Sequence, residues 1–200
     1  MKKKNRTLII VVVVLALLVI SLVNWGIKTY NGFITMEEGV VGQWANVENV
    51  YQRRADLIPN LVNTVRGYAE FEQETLTQVI EARAQATSVT IDPTNLKPES
   101  LAAFQQAQVG LSSALSRLLV TIERYPDLKA NQNFLALQDQ LEGTENRIAM
   151  ERRKFNEVTR SFNTSIRKFP ASMIANMRDF DQKAYFEADA GSETAPVVEF

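Results

Sequence analysis

The sequence predicts an all-α protein: an N-terminal transmembrane helix followed by an up-and-down four-helix bundle. Three observations lead there. Residues 8–23 are apolar except for Ser21. The chain beyond them places apolar residues at alternating three- and four-residue intervals, and no strand pattern is long enough to build a sheet. The implied division is a basic cytoplasmic tail (1–6), a transmembrane signal anchor (7–27), a bundle domain (28–186) and a disordered acidic tail (187–200).

Extended from Thr7 to Ile27, the apolar run meets the length of about 20 residues that a bilayer requires. Trp25 and Tyr30 stand where an aromatic belt would lie. Lys2, Lys3, Lys4 and Arg6 precede the run, and only Lys28 closely follows it. The positive-inside rule therefore puts the N-terminus in the cytoplasm and the rest of the chain outside. A cleaved signal peptide fits less well, because the run is too long and no Ala-x-Ala site follows it.

Heptad spacing begins at Phe33 and runs through Glu37, Val40, Trp44, Val47, Tyr51, Arg54 and Ile58. Past Pro59 it resumes through Val62, Val65, Ala69, Glu72, Leu76, Val79, Arg83 and Ala86. A single helix kinked at Pro59 fits this, as do two helices meeting at a tight corner. The corner is the preferred reading, with Asp56 as N-cap and Pro59 in the first turn of the new helix.

Thr87 to Pro98 reads as a loop, rich in turn formers. The third seam is Leu101, Phe104, Gln108, Leu111, Leu115, Leu118, Ile122 and Tyr125, ending at Tyr125-Pro126. The fourth is the longest. Phe134, Leu141, Ile148, Phe155, Phe162 and Phe169 recur every seven residues, which predicts one helix from Asn131 to Pro170, about 60 Å long. After Pro170, Met173, Ile174, Met177, Phe180, Tyr185 and Phe186 suggest a strap that packs back on the bundle.

Composition narrows the chemistry. With no histidine and no cysteine, the usual zinc sites, thiol nucleophiles and Ser-His-Asp triads are excluded. Without the four N-terminal cations, 18 basic residues face 23 acidic ones, so the body is a poor nucleic-acid binder. No catalytic residue, cofactor or metal site is predicted.

Polar residues interrupt every seam: Glu72 and Arg83, Gln108, and Thr144 with Glu151. They read as a hydrogen-bonded layer that fixes register, or as the wet rim of the bundle. Gly143 costs a helix about 1 kcal/mol relative to alanine, for which a close approach by a neighbouring helix is the expected reason. The segment Glu142–Arg152, facing Arg53–Asp56, is where a specific partner would be gripped. The expected partner-binding residues are Arg53, Arg54, Asp56, Glu142, Glu145, Arg147 and Arg152.

Several segments resemble the LemA family of bacterial membrane proteins. They are Gln43-Trp44-Ala45-Asn46-Val47, Arg53 to Val62, Gly67-Tyr68-Ala69, Glu81-Ala82-Arg83, Tyr125 to Asn131, Leu141 to Ile148, Asn156, Asn163 and Phe169-Pro170. The resemblance covers nearly the whole chain, from the anchor to about Phe186. It implies a bromodomain-like arrangement of the four helices, which supports the corner at Asp56, and a single N-terminal membrane helix. In a bacterium, the positive-inside argument then makes this an inner-membrane helix with a periplasmic body. It brings no agreed enzymatic activity, cofactor or catalytic residue. Genes for other membrane proteins, including ones with TPM domains, often lie beside those of members, which points to partnership. The chain departs from the family pattern at Phe71, where many members have histidine, and at Phe155 and Phe162, where tyrosine precedes the asparagine. Each change favours packing over chemistry.

The functional expectation is a non-enzymatic, membrane-anchored scaffold that self-associates or docks an envelope partner. The alternative is a small-ligand sensor or binding module that uses polar residues inside the bundle.

Overall fold

In the computed structural model, which describes residues 2–67 and 72–187, the chain is all-helical and contains no strand among those residues. The elements are α1 (Lys2–Arg66), α2 (Gln73–Ser88), α3 (Pro98–Ile122), the one-turn α4 (Pro126–Lys129), α5 (Gln132–Arg167) and α6 (Ala171–Met177).

α1 carries 65 residues, about 97 Å of rod at 1.5 Å per residue. Side chains from Leu8 to Val23 are all exposed, and this helix is long and apolar enough to cross a membrane. From Phe33 onward the same helix buries a stripe comprising Phe33, Val40, Trp44, Val47, Tyr51, Arg54, Ile58, Leu61 and Val65.

The corner expected at Asp56 does not exist, because α1 continues through Pro59 to Arg66. Asp56 is no N-cap; it is exposed, and its Oδ1 accepts from Gln52 Nε2 at 2.8 Å. Proline at 59 has no N–H to give the carbonyl of Ala55, four residues back. That buried carbonyl instead accepts from Arg83 Nε of α2 at 2.7 Å. With the acceptor satisfied, the helix keeps Leu61, Val62 and Val65 in the core, and the chain turns only at Gly67. Ala69 and Phe71 lie outside the described residues.

Each long helix runs antiparallel to the one it packs on. Gln43 meets Glu151 and Arg54 meets Glu145 between α1 and α5. Between α2 and α3, Glu72 meets Arg124 and the Ala86 carbonyl meets Gln108. Glu72 is thus exposed at the start of α2 rather than facing the interior.

The core has two apolar ends. One gathers Ile58, Leu61 and Val65 of α1 with Leu76 and Val79 of α2, Leu111 and Leu118 of α3, Leu128, and Phe134 and Leu141 of α5. The other is aromatic: Phe33, Trp44, Tyr51, Phe104, Phe155, Phe162 and Phe186. Phe155 and Phe162 are fully buried, and Phe155 meets the Trp44 ring edge-on at 5.7 Å.

Asn131 caps α5, its Oδ1 accepting from the amides of Asn133 and Phe134. The helix ends at Arg167, short of the expected Pro170, so Phe169 leaves the seam and is 82% exposed. Gly143 also departs from expectation. A Cβ there would meet nothing within 4 Å. At 100° per residue, position 143 lies some 200° from the buried Leu141, on the open side of the helix.

Beyond α6 the chain lays an extended strap on α5. Asn163 accepts from the Lys183 amide at 2.9 Å and donates to the Lys183 carbonyl at 2.8 Å. Asn156 grips Phe186 in the same way, with both bonds at 2.9 Å. Seven helical residues rise about 10.5 Å, nearly the distance that three extended residues cover, so the two asparagines match the strap's pitch. Phe180 and Phe186 pack inward as expected, but Met173, Met177 and Tyr185 face outward. Of the tail expected at 187–200, only Glu187 is described; its carbonyl accepts from Arg152 at 2.7 Å.

Candidate functional site

Of the expected interruptions, Gln108 and Thr144 fall at one level with Arg54 and Glu145, whereas Glu72 meets Arg124 and Glu151 meets Gln43 at other levels. On α1, Arg54 lies between Tyr51 of the aromatic end and Leu57 of the aliphatic end. On α3, Gln108 separates Phe104 from Leu111; on α5, Thr144 and Glu145 separate Leu141 from Ile148. The heptad brings these positions to the same height, so one hydrogen-bonded layer divides the core.

Arg54 is its centre, with only 1% of its surface exposed. Nη1 donates to Glu145 Oε1 at 2.7 Å and to Ser112 Oγ at 2.9 Å. Nη2 donates to Gln108 Oε1 at 2.6 Å. The guanidinium also lies 5.2 Å from the centre of the Tyr51 ring, a cation–π contact. Nε is buried with no hydrogen-bond partner. Gln108 passes the network on, donating Nε2 to the Ala86 carbonyl at 3.1 Å. That carbonyl lies in the last turn of α2, where no amide of its own helix can reach it.

Burying a guanidinium is costly unless its charge and N–H groups are matched, which makes arginine's planar fork the fitting choice here. Glu145 supplies the charge while about half exposed itself. It reaches in from a cleft of about 470 Å³ between α3 and α5, lined by Arg54, Gln105, Gln108, Arg117, Glu145 and Arg152 among others. A neighbouring groove of about 360 Å³ shares Ser112, Ser116 and Glu145 and adds Glu142.

The structure therefore brings Arg54, Glu145 and Arg152 to one cleft and Glu142 to the groove beside it. Arg53, Asp56 and Arg147 are exposed. Arg152 is also engaged elsewhere, its guanidinium lying 5.0 Å from the centre of the Phe186 ring. Periodicity alone does not mark Ser112, Gln105 or Arg117, although Ser112 stands one turn beyond Gln108 on the same face.

On the α1 side of α5, Glu151 Oε2 accepts from Gln43 at 2.6 Å and Oε1 from Lys154 at 2.9 Å. The Lys154 hydrogen bond, followed by that of Gln43, holds the Glu151 carboxyl below its ordinary value of 4.5. In the loop before α3, the hydroxyl and then the amide of Thr94 do the same for Asp92. The cleft carries three guanidiniums against one carboxylate, which suits an anion-bearing group. Among the described residues, no cluster of three acidic side chains could hold a metal ion.

The chain is 27% identical to the magnetosome protein MamQ of Magnetospirillum gryphiswaldense over 204 positions, which cover 92% of this chain and 75% of that one. It is 25% identical to magnetosome protein MamQ 2 of Paramagnetospirillum magneticum, covering 90% and 72%. With protein LemA of Metamycoplasma hominis it shares 28% identity over 142 positions, covering 71% and 61%. The LemA family model matches residues 43–200, which take in the Arg54 layer and the paired asparagines. The chain belongs to the LemA family.

Proposed function

We propose that the protein is a non-enzymatic, membrane-anchored helical scaffold of the bacterial cell envelope that self-associates or docks a membrane or envelope partner. Its body is read as an up-and-down four-helix bundle on the periplasmic side of the inner membrane, with the N-terminus in the cytoplasm. The observation that carries the reading is the continuity of α1. One helix is exposed and apolar from Leu8 to Val23 and becomes a core helix from Phe33, with no linker between. A body joined in this way cannot swing freely; it is held at a fixed height and angle above the bilayer, as suits a docking platform. A membrane protein of the TPM-domain type is one partner class, and a second copy of the chain is the other.

The test is extraction of the intact protein in mild detergent, followed by cross-linking and mass measurement of the complex. An oligomer or a stoichiometric co-purifying membrane protein is expected. A strictly monomeric protein with no partner would overturn the reading.

A second reading, a small-ligand binding module, rests on the cleft above Arg54. Thermal shifts with anionic envelope metabolites, compared between the wild type and Gln108→Leu, decide it. If no metabolite raises the wild-type melting temperature, the cleft is only the seam between α3 and α5.

A further inference from the structure

Helix α6 joins the molecule low on α1, at the end of the apolar segment. Its Ile174 packs beside Gly26, where a Cβ would lie in ordinary contact 3.9 Å from Ile174 Cδ1. Val23, Gly26, Ile27 and Tyr30 of α1 and Ile174 and Met177 of α6 enclose an apolar hollow of about 290 Å³. Arg178 closes its rim, its guanidinium 5.5 Å from the centre of the Tyr30 ring.

The height of this contact matters. At 1.5 Å per residue, Thr7–Ile27 spans about 30 Å, the thickness of a bilayer's hydrocarbon core. Val23 to Ile27 is then the last ~6 Å of that core, and a helix packed there lies at the boundary between acyl chains and headgroups.

The outer face of α6 fits that level. Phe169 is 82% exposed, Met173 59% and Met177 79%, while Ala175 on the inner face is buried. Lys28, Arg167, Lys168 and Arg178 are exposed at the same end of the molecule, against Asp179 and Asp181. This balance is opposite in sign to that of the body as a whole. Large apolar side chains ringed by lysine and arginine are the pattern of an interfacial helix, whose stems lie in the acyl boundary while the charges reach phosphates.

We propose that Phe169, Met173 and Met177 form a second membrane contact, seating α6 in the interfacial layer of the leaflet where the α1 span ends. The proposal rests on the reading of residues 7–27 as a membrane anchor. It makes the body a two-point mount, fixed against rotation about the axis of α1.

The chain has no cysteine, so single-cysteine variants carry one nitroxide label each. Phe169→Cys, Met177→Cys, Leu15→Cys and Val120→Cys of the full-length protein are reconstituted into vesicles of phosphatidylethanolamine and phosphatidylglycerol. Power saturation then compares collision with oxygen, which concentrates in lipid, and with a water-soluble nickel chelate. All four side chains are more than half exposed, so none of the changes touches the core. The oxygen-to-nickel ratio at 169 and 177 is expected to be severalfold that at Val120, which stands 72% exposed on α3. A ratio at 169 and 177 equal to that at Val120, with Leu15 deep in lipid, overturns the second contact and leaves the anchor standing. Labels at 169 and 177 shielded from both reagents also overturn it, in favour of a protein cover. A Leu15 label in water overturns the anchor reading itself, and the proposal with it.

Discussion

Arg83 of α2 donates its Nε–H to the Ala55 carbonyl of α1 at 2.7 Å, taking the place of the amide that Pro59 lacks. A side chain 28 residues away in sequence thus repairs the proline gap and lets α1 run unbroken into the core.

That repair predicts a specific non-additivity. Arg83→Met strands a buried carbonyl and is expected to cost about 1–3 kcal/mol. In a Pro59→Ala background the amide of residue 59 can serve Ala55, and the same change is expected to cost much less. Denaturant unfolding of the four proteins in micelles, followed by circular dichroism, measures the coupling. Equal costs in the two backgrounds would refute the repair.

The Arg54–Glu145 pair is asymmetric, with one partner sealed and the other at the cleft. Glu145→Ala leaves a buried cation without its counter-charge and is expected to cost about 2 kcal/mol, below the 3–5 kcal/mol of fully closed pairs because the cleft admits water. Arg54→Met removes charge and desolvation together and is expected to cost less than Glu145→Ala. Unfolding free energies of the two single variants, ranked against each other, check this.

Gly143→Ala is expected to stabilise the protein by about 0.5–1 kcal/mol, since a methyl group there meets no neighbour and removes backbone freedom from the unfolded chain. A lower melting temperature would mean that the open side of α5 is occupied.

The strap depends on its asparagines. Asn163→Ala leaves both backbone groups of Lys183 without partners and is expected to cost about 2 kcal/mol. Limited trypsin digestion should then cut after Lys183 well before it does so in the wild type.

Acid should weaken the Glu151 cluster. Because the carboxyl lies below its ordinary 4.5 in the folded state, its contribution is complete above that value and is lost as the pH falls through the folded value. The melting-temperature gap between wild type and Glu151→Gln is therefore expected to be full above pH 4.5 and to close as the pH falls below it.

The apolar run, the seams and their polar interruptions were legible in the residues themselves, because helical periodicity is local and needs no partner to be seen. The caps were only partly so. Asn131 performs the role its type suggests, whereas Asp56 does not, since α1 runs unbroken past it and no helix starts there to be capped. Phe169 held its heptad place in sequence yet left the core, because α5 had already ended at Arg167.

By itself, then, the sequence determined an all-helical chain, the apolar helix at its start and the positions that face a core. Tertiary structure alone decided that Pro59 stays inside a helix, that Gln108 and Ser112 join Arg54 and Glu145 in one layer, and that α6 lies against Gly26. Each of these turns on a bond or a close approach between residues far apart in the chain. Periodicity ranks the faces of a helix; only packing assigns the partner that each face meets.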